Sequence, residues 1–189
     1  MNSDRSLPDR LTADRSVLVV IDLQEKFRDL IHGMDQVLER SLRLIAFSRE
    51  SKIPVLVTEQ YPRGLGVSIT GIREACRPFT AFEKTTFSCV GREAFNQALR
   101  ATGRDQIILC GIETHVCVYQ TACDLLRDGR QVVIAADAVS SCGAADRELG
   151  LQRLRDVGAD VMGTQMIMFE ILREAGTPAF RQVSALLKN

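Results

Sequence analysis

Ile107-Ile-Leu-Cys-Gly-Ile-Glu-Thr-His-Val-Cys117 decides the fold. Ile107 to Leu109 is a short apolar run, as expected of a strand buried on both faces, and Gly111 breaks it. From His115 onward, Val116, Ala122, Leu125 and Leu126 recur near helical spacing until Gly129 stops the run. Thr114 then reads as the N-cap, offering a side-chain oxygen to an early backbone N–H. On this reading Cys117 lies in the first helical turn, near unpaired N–H groups and the positive end of the helix dipole. Both favour a thiolate and can hold an oxyanion. The plainer alternative is a small buried apolar cysteine.

The same strand–turn–helix alternation extends in both directions. Upstream, Ser16-Val-Leu-Val-Val-Ile-Asp22 is a strand whose apolar run ends at a carboxylate. A helix is expected over 35–50, a second strand over Val55–Glu59 and a short third strand around Thr80–Lys84. Another helix follows from about Arg92 to Ala101. Between the second and third strands, Arg63-Gly-Leu-Gly66 invites comparison with a phosphate loop. It lacks the Gly-Lys-Ser/Thr ending and no clear helix follows, so a loop covering substrate is the better reading, with a plain surface loop close behind. Downstream, Gln131–Asp137 is the fifth strand, and a helix over 145–157 turns Leu149, Leu154 and Val157 to one side. Asp160–Thr164 is the sixth strand, with helical residues from about Met166 and a last helix after Pro178.

Alternation of this kind implies a three-layer α/β/α domain over 16–189, its parallel sheet covered on both faces. Residues 1–15, polar and interrupted by Pro8, read as an extended arm, disordered or lying on a partner subunit.

Composition narrows the function. The 24 Lys and Arg balance 24 Asp and Glu, which gives no electrostatic case for nucleic acid or an anionic membrane as partner. The six cysteines form no Cys-x-x-Cys pair and there are only 2 His, so a structural zinc site is not expected. No segment reads as a secretory signal or a membrane span. The expectation is a cytoplasmic protein with free thiols.

In open α/β sheets ligands bind beyond the carboxyl ends of the strands, where the strand order reverses. With order 3-2-1-4-5-6, Asp22 after strand one and Cys117 after strand four meet at that point. Lys84, ending strand three, is roughly 10 Å from Asp22 by strand spacing, within reach of a long side chain. A thiol, a carboxylate and a cation in one crevice form a nucleophile-activating set. Asp22 would move the proton, and Lys84 would hold Asp22 ionised and stabilise negative charge. Phe27, Gln60, Tyr61, Phe87 and Tyr119 are candidate residues for the substrate pocket.

The chain resembles the isochorismatase-like cysteine hydrolases, and among them the isochorismatase domain-containing proteins of unassigned substrate. The resemblance rests on Val20-Ile-Asp-Leu-Gln24, Thr58-Glu-Gln-Tyr-Pro62, Phe82-Glu-Lys-Thr-Thr-Phe-Ser88, Gly111-Ile-Glu-Thr-His-Val-Cys-Val118 and Ala136-Asp-Ala-Val-Ser-Ser141. It implies a six-stranded parallel sheet and an Asp22–Lys84–Cys117 triad. It also implies a cis peptide joining Ile112 and Glu113, and an oxyanion hole made by the Glu113 and Cys117 N–H groups. Nicotinamidase-type members carry an Asp-x-His metal motif where this chain has Glu59, Gln60 and Tyr61, so no metal or other cofactor is expected. Members that hydrolyse isochorismate typically lack the cysteine.

The reading that follows is hydrolysis of a small amide, imide or carbamoyl compound through a cysteine thioester. Two alternatives stay open: vinyl-ether hydrolysis of an isochorismate-like acid with Asp22 as general acid, and a binding or redox-sensing protein in which Cys117 oxidises. A homo-oligomer, dimer or larger, is expected from the polar arm and family habit.

Overall fold

The computed structural model describes residues 9–184. The first half of the chain forms β1 (Ser16–Ile21), α1 (Met34–Glu50), β2 (Val55–Gln60), α2 (Pro62–Leu65), α3 (Thr70–Ala75), β3 (Ala81–Lys84) and α4 (Glu93–Ala101). The second half forms β4 (Gln106–Ile112), α5 (Tyr119–Arg127), β5 (Gln131–Ser140), α6 (Ala144–Asp156), β6 (Asp160–Met162), α7 (Thr164–Leu172) and α8 (Pro178–Ser184). All strand pairs are parallel, in the order β3-β2-β1-β4-β5-β6.

The apolar runs of β1 and β4 are continuous because both faces of the sheet are covered. Leu18, Val20, Ile108 and Cys110 pack with residues of α1, α3 and α7. Their neighbours Val17, Val19, Ile107 and Leu109 point the other way, into the layer formed by α4, α5 and α6.

Gly111 does not end its strand. β4 runs on to Ile112, and Gly111 sits within it at φ 110, opposite Ile21. A Cβ at this position would lie 2.0 Å from the Ile21 carbonyl oxygen. The glycine therefore permits a close approach of two backbones at the centre of the sheet. The β4–β5 register shifts between Leu109 and Gly111, which lets β5 continue past Asp137 as far as Ser140.

Three other expectations are corrected. Leu149 is exposed, and α6 buries Gly150, Leu151 and Leu154 instead. Gly150 supports this close packing, since a Cβ there would lie 3.0 Å from the His115 nitrogen and the Thr114 methyl. The stretch after β2 is not free of helix: Pro62, with φ preset for a first helical position, opens the short α2, and α3 follows. The expected arm is anchored at Leu11, which buries completely and whose N–H donates to Glu170 at 2.9 Å, while Asp9, Arg10 and Asp14 stay exposed. Arg15 adds a two-point contact with Asp105. The rest of that arm, residues 1–8, lies outside the described residues, as does the end of the chain from 185. Among the described residues no helix is long and apolar enough to cross a membrane.

Gly111→Ala should destabilise the fold by more than about 3 kcal/mol, because the new methyl must part β1 from β4 at a backbone φ that alanine disfavours. The midpoint of urea unfolding measures this.

Candidate active site

Asp22 follows β1 directly and takes a left-handed backbone conformation, φ 54, with its N–H donating to the Thr58 carbonyl at 3.2 Å. Its side chain is buried at the carboxyl edge of the sheet. Oδ1 accepts from the Thr58 hydroxyl at 2.7 Å, and Oδ2 accepts from Lys84 Nζ at 2.7 Å. Lys84 ends β3 beside Gln60 of β2, so its side chain crosses one strand to reach Asp22. Its ammonium also donates to Gln60 Oε1 at 2.6 Å and to the Phe87 carbonyl at 3.1 Å. A fourth oxygen, the Thr86 carbonyl, lies at 3.4 Å.

Gln24 holds the neighbouring loop. Its amide oxygen accepts from the Gln60 N–H at 2.7 Å, and its nitrogen donates to the carbonyls of Gln60 at 3.0 Å and Gly66 at 2.6 Å. Glu59, also buried, accepts from both the N–H and the hydroxyl of Ser68, each at 2.7 Å.

Cys117 comes from a single π-helical turn, Thr114–Val118, that precedes α5. Thr114 is not the N-cap: its hydroxyl is buried without a hydrogen-bond partner among the described residues. The Glu113 carbonyl serves the turn instead, accepting from the N–H groups of Val116 and Val118, both at 3.1 Å. The Ile112–Glu113 peptide is cis. The Glu113 carboxylate accepts from the Cys142 N–H at 2.8 Å, and His115 Nδ1 pairs with the Ser141 hydroxyl at 2.9 Å. Both contacts fasten the turn to the end of β5.

Asp22 and Cys117 line one cavity of about 270 Å³, near enough for the Asp22 charge to act on the Cys117 thiol. Of the residues expected to line a pocket, Phe27, Gln60, Tyr61 and Phe87 do so. Tyr119 does not; it packs with the core on the α5 side. Residues two apart on helical backbone point to different sides, so the position that exposes Cys117 to the cavity turns Tyr119 away. Leu65, Ile112 and Val116 also line the cavity. Val116 flanks the cysteine in sequence and Leu65 lies in the loop read as covering substrate, which are the only signals that could have found them.

Burial governs the protonation states. It drives the Asp22 carboxyl above its ordinary range, against the pull of Lys84, Thr58 and Cys117. Burial pulls the Lys84 ammonium down, but the Asp22 charge and the Cys89 and Cys117 sulfurs outweigh it and hold the pKa above its usual value. Burial, followed by the Asp22 charge, pushes the Cys117 thiol up to about 12, with Lys84 opposing. The helix-terminus argument for a resting thiolate therefore fails here: desolvation beside a carboxylate is the stronger effect. Among the described residues no three His, Cys, Asp or Glu side chains are grouped so as to hold a metal ion.

A six-stranded parallel sheet in this order, covered by helices on both faces, is the isochorismatase hydrolase fold. The chain belongs to the isochorismatase family: the Isochorismatase domain matches residues 16–166. It is 39% identical over 180 residues to isochorismatase domain-containing protein 2 of Danio rerio, covering 94% of this chain and 89% of that protein. The structure of MAR1 ribonuclease from Caenorhabditis elegans superposes with a TM-score of 0.91 at 35% identity, covering 96% of this chain and 93% of that one. The YcaC gene product of Escherichia coli, described as an octameric hydrolase of unknown specificity, shares the fold. Its TM-score is 0.90 at 20% identity, over 97% of this chain and 91% of that one.

With the thiol pKa at about 12, alkylation of Cys117 by iodoacetamide should keep accelerating well above pH 10. An exposed cysteine would level off just above ~8.5, its ordinary pKa. Peptide-resolved mass spectrometry across a pH series checks this.

Proposed function

We propose that the protein is a metal-independent cysteine hydrolase of a small amide, imide or carbamoyl compound. One observation carries this reading: a buried carboxylate, Asp22, pairs with Lys84 at 2.7 Å and shares the wall of a small cavity with the Cys117 thiol. Because the resting thiol is protonated, attack on the carbonyl carbon requires its proton to leave at the same time, and Asp22, on the same cavity wall, is the acceptor. Asp22 then returns the proton to the leaving nitrogen, giving a thioester. Water, deprotonated by the same carboxylate, releases the acid and restores the thiol. The backbone N–H groups of Glu113 and Cys117 hold the oxyanion, and Lys84 balances the charge on Asp22 as the proton moves.

The apolar side chains of Phe27, Tyr61, Leu65 and Phe87 suit a compact organic substrate, with Gln60 as the nearby polar group. The balanced charge of the chain supports a small-molecule substrate over nucleic acid. The ribonuclease name belongs to the Caenorhabditis elegans protein. Homo-oligomeric assembly, as a dimer or larger, is part of the proposal. The exposed Leu30, Val67 and Phe87 support it, being large apolar side chains of the kind an interface covers. Light scattering should then return a multiple of the 21.0 kDa chain mass.

A panel of small amides assayed for ammonia tests the chemistry. Cys117→Ala should lower turnover at least about 10³-fold, as for loss of a nucleophile; survival of activity would rule out nucleophilic catalysis by the thiol. Lys84→Met should lower kcat by ~10²-fold or more with a much smaller change in KM. Lys84→Arg should not fully restore it, since a planar guanidinium does not fit a site packed around a compact ammonium.

A further inference from the structure

A second groove, of about 420 Å³, opens beside the catalytic cavity, and Tyr61 lines both. Lys84 lines the groove as well, so the groove also adjoins the Asp22–Lys84 pair. Two arginines face it: Arg63 on α2, and Arg92 at the N-cap position of α4. Among the described residues neither guanidinium has an ion pair or a hydrogen bond. That separates them from Arg15, Arg104 and Arg147, whose guanidinium groups are committed to carboxylates or backbone carbonyls.

The neighbouring charges do not neutralise the pair. Glu93, adjacent to Arg92, is held by Arg100 at 2.6 Å. The Lys84 charge is matched by Asp22. Glu83 is the one carboxylate on the groove wall, and it forms no ion pair with either arginine. Two unmatched guanidinium groups against one carboxylate leave the groove with an excess of positive charge. The nine-residue α4 also begins here without a side-chain cap, so the positive end of its dipole lies on the same wall.

We propose that this groove is an anion subsite, in which Arg63 and Arg92 take the carboxylate or phosphoryl end of a compound whose amide end reaches past Tyr61 to Cys117. A planar guanidinium offers parallel N–H donors that match either group. The amide half of the assignment rests on the hydrolytic reading above; the anion half stands on the groove alone. The substrate class becomes small acids that carry an amide or carbamoyl group within a few bonds of the charge.

Calorimetric titration with succinate and with inorganic phosphate tests the subsite directly, using the intact protein, Cys117→Ala, and the double variant Arg63→Gln/Arg92→Gln. At least one probe should bind the first two alike and the double variant roughly tenfold to hundredfold more weakly. Preference for succinate assigns the subsite to carboxylates, and preference for phosphate assigns it to phosphoryl groups. Absence of binding of both probes at millimolar concentration overturns the proposal. So does a folded double variant that binds as tightly as the parent. Turnover is read separately, with succinamate and its uncharged methyl ester. The double variant should raise KM for the acid relative to the ester by the factor seen in binding. If neither compound is hydrolysed while the binding loss holds, the hydrolytic reading fails and the anion subsite stands.

Discussion

The buried contact between Asp22 and Lys84 is the constraint on which the carboxyl edge of the sheet depends. Withdrawing a carboxylate and an ammonium from water costs several kcal/mol for each ion, and mutual attraction offsets this only when the remaining hydrogen-bonding capacity is also filled. Here it is filled. Thr58 serves the free carboxylate oxygen, and Gln60 with the Phe87 carbonyl serves the ammonium. Each of these partners is thereby fixed in place. The pair also spans β2, so the outer strand β3 is tied to the centre of the sheet through its last residue. Removing either ion would strand the other in a site designed for two.

This arrangement explains why a high thiol pKa is compatible with a nucleophilic role. A thiolate would be a second anion beside Asp22 in a poorly solvated place, which the site resists. In the proposed reaction the proton stays on sulfur until a carbonyl is present to receive the electron pair. Such a site resembles a serine hydrolase in its timing more than a protease with a preformed thiolate.

Much of the architecture was legible in the sequence, for a simple reason. Strands buried on both faces, such as Val17–Ile21 and Ile107–Leu109, are written as unbroken apolar runs, and no other element of comparable length in this chain looks like them. The strand order follows once each run is joined to the next by a helix. What could not be read were features set by contacts distant in sequence. Gly111 looks like a stop signal, yet its purpose is visible only against the Ile21 carbonyl ninety residues earlier. Thr114 has the chemistry of a cap, but the Glu113 carbonyl already satisfies the turn. Candidate site residues at strand ends, Asp22 and Lys84, were within reach of sequence reasoning because strand ends converge. Tyr119 was not, because helical phase after a π turn decides its direction. The thiol's electrostatics were illegible for the same cause: burial is a property of the assembled layers.

The clamp made by Gln24 has a consequence for how this scaffold diversifies. It grips the chain at two points, Gln60 and Gly66, through backbone atoms alone. A backbone grip is indifferent to the side chains between the anchors, and those side chains include Tyr61, Arg63 and Leu65, which face the two cavities. The segment behaves as a cassette: away from Pro62, Gly64 and Gly66, whose backbone is constrained, its side chains can be exchanged while its ends stay registered to the sheet. Asp22 and Lys84, at the strand ends, lie outside it. Selection can therefore reshape the two cavities from this segment without disturbing the Asp22–Lys84 pair.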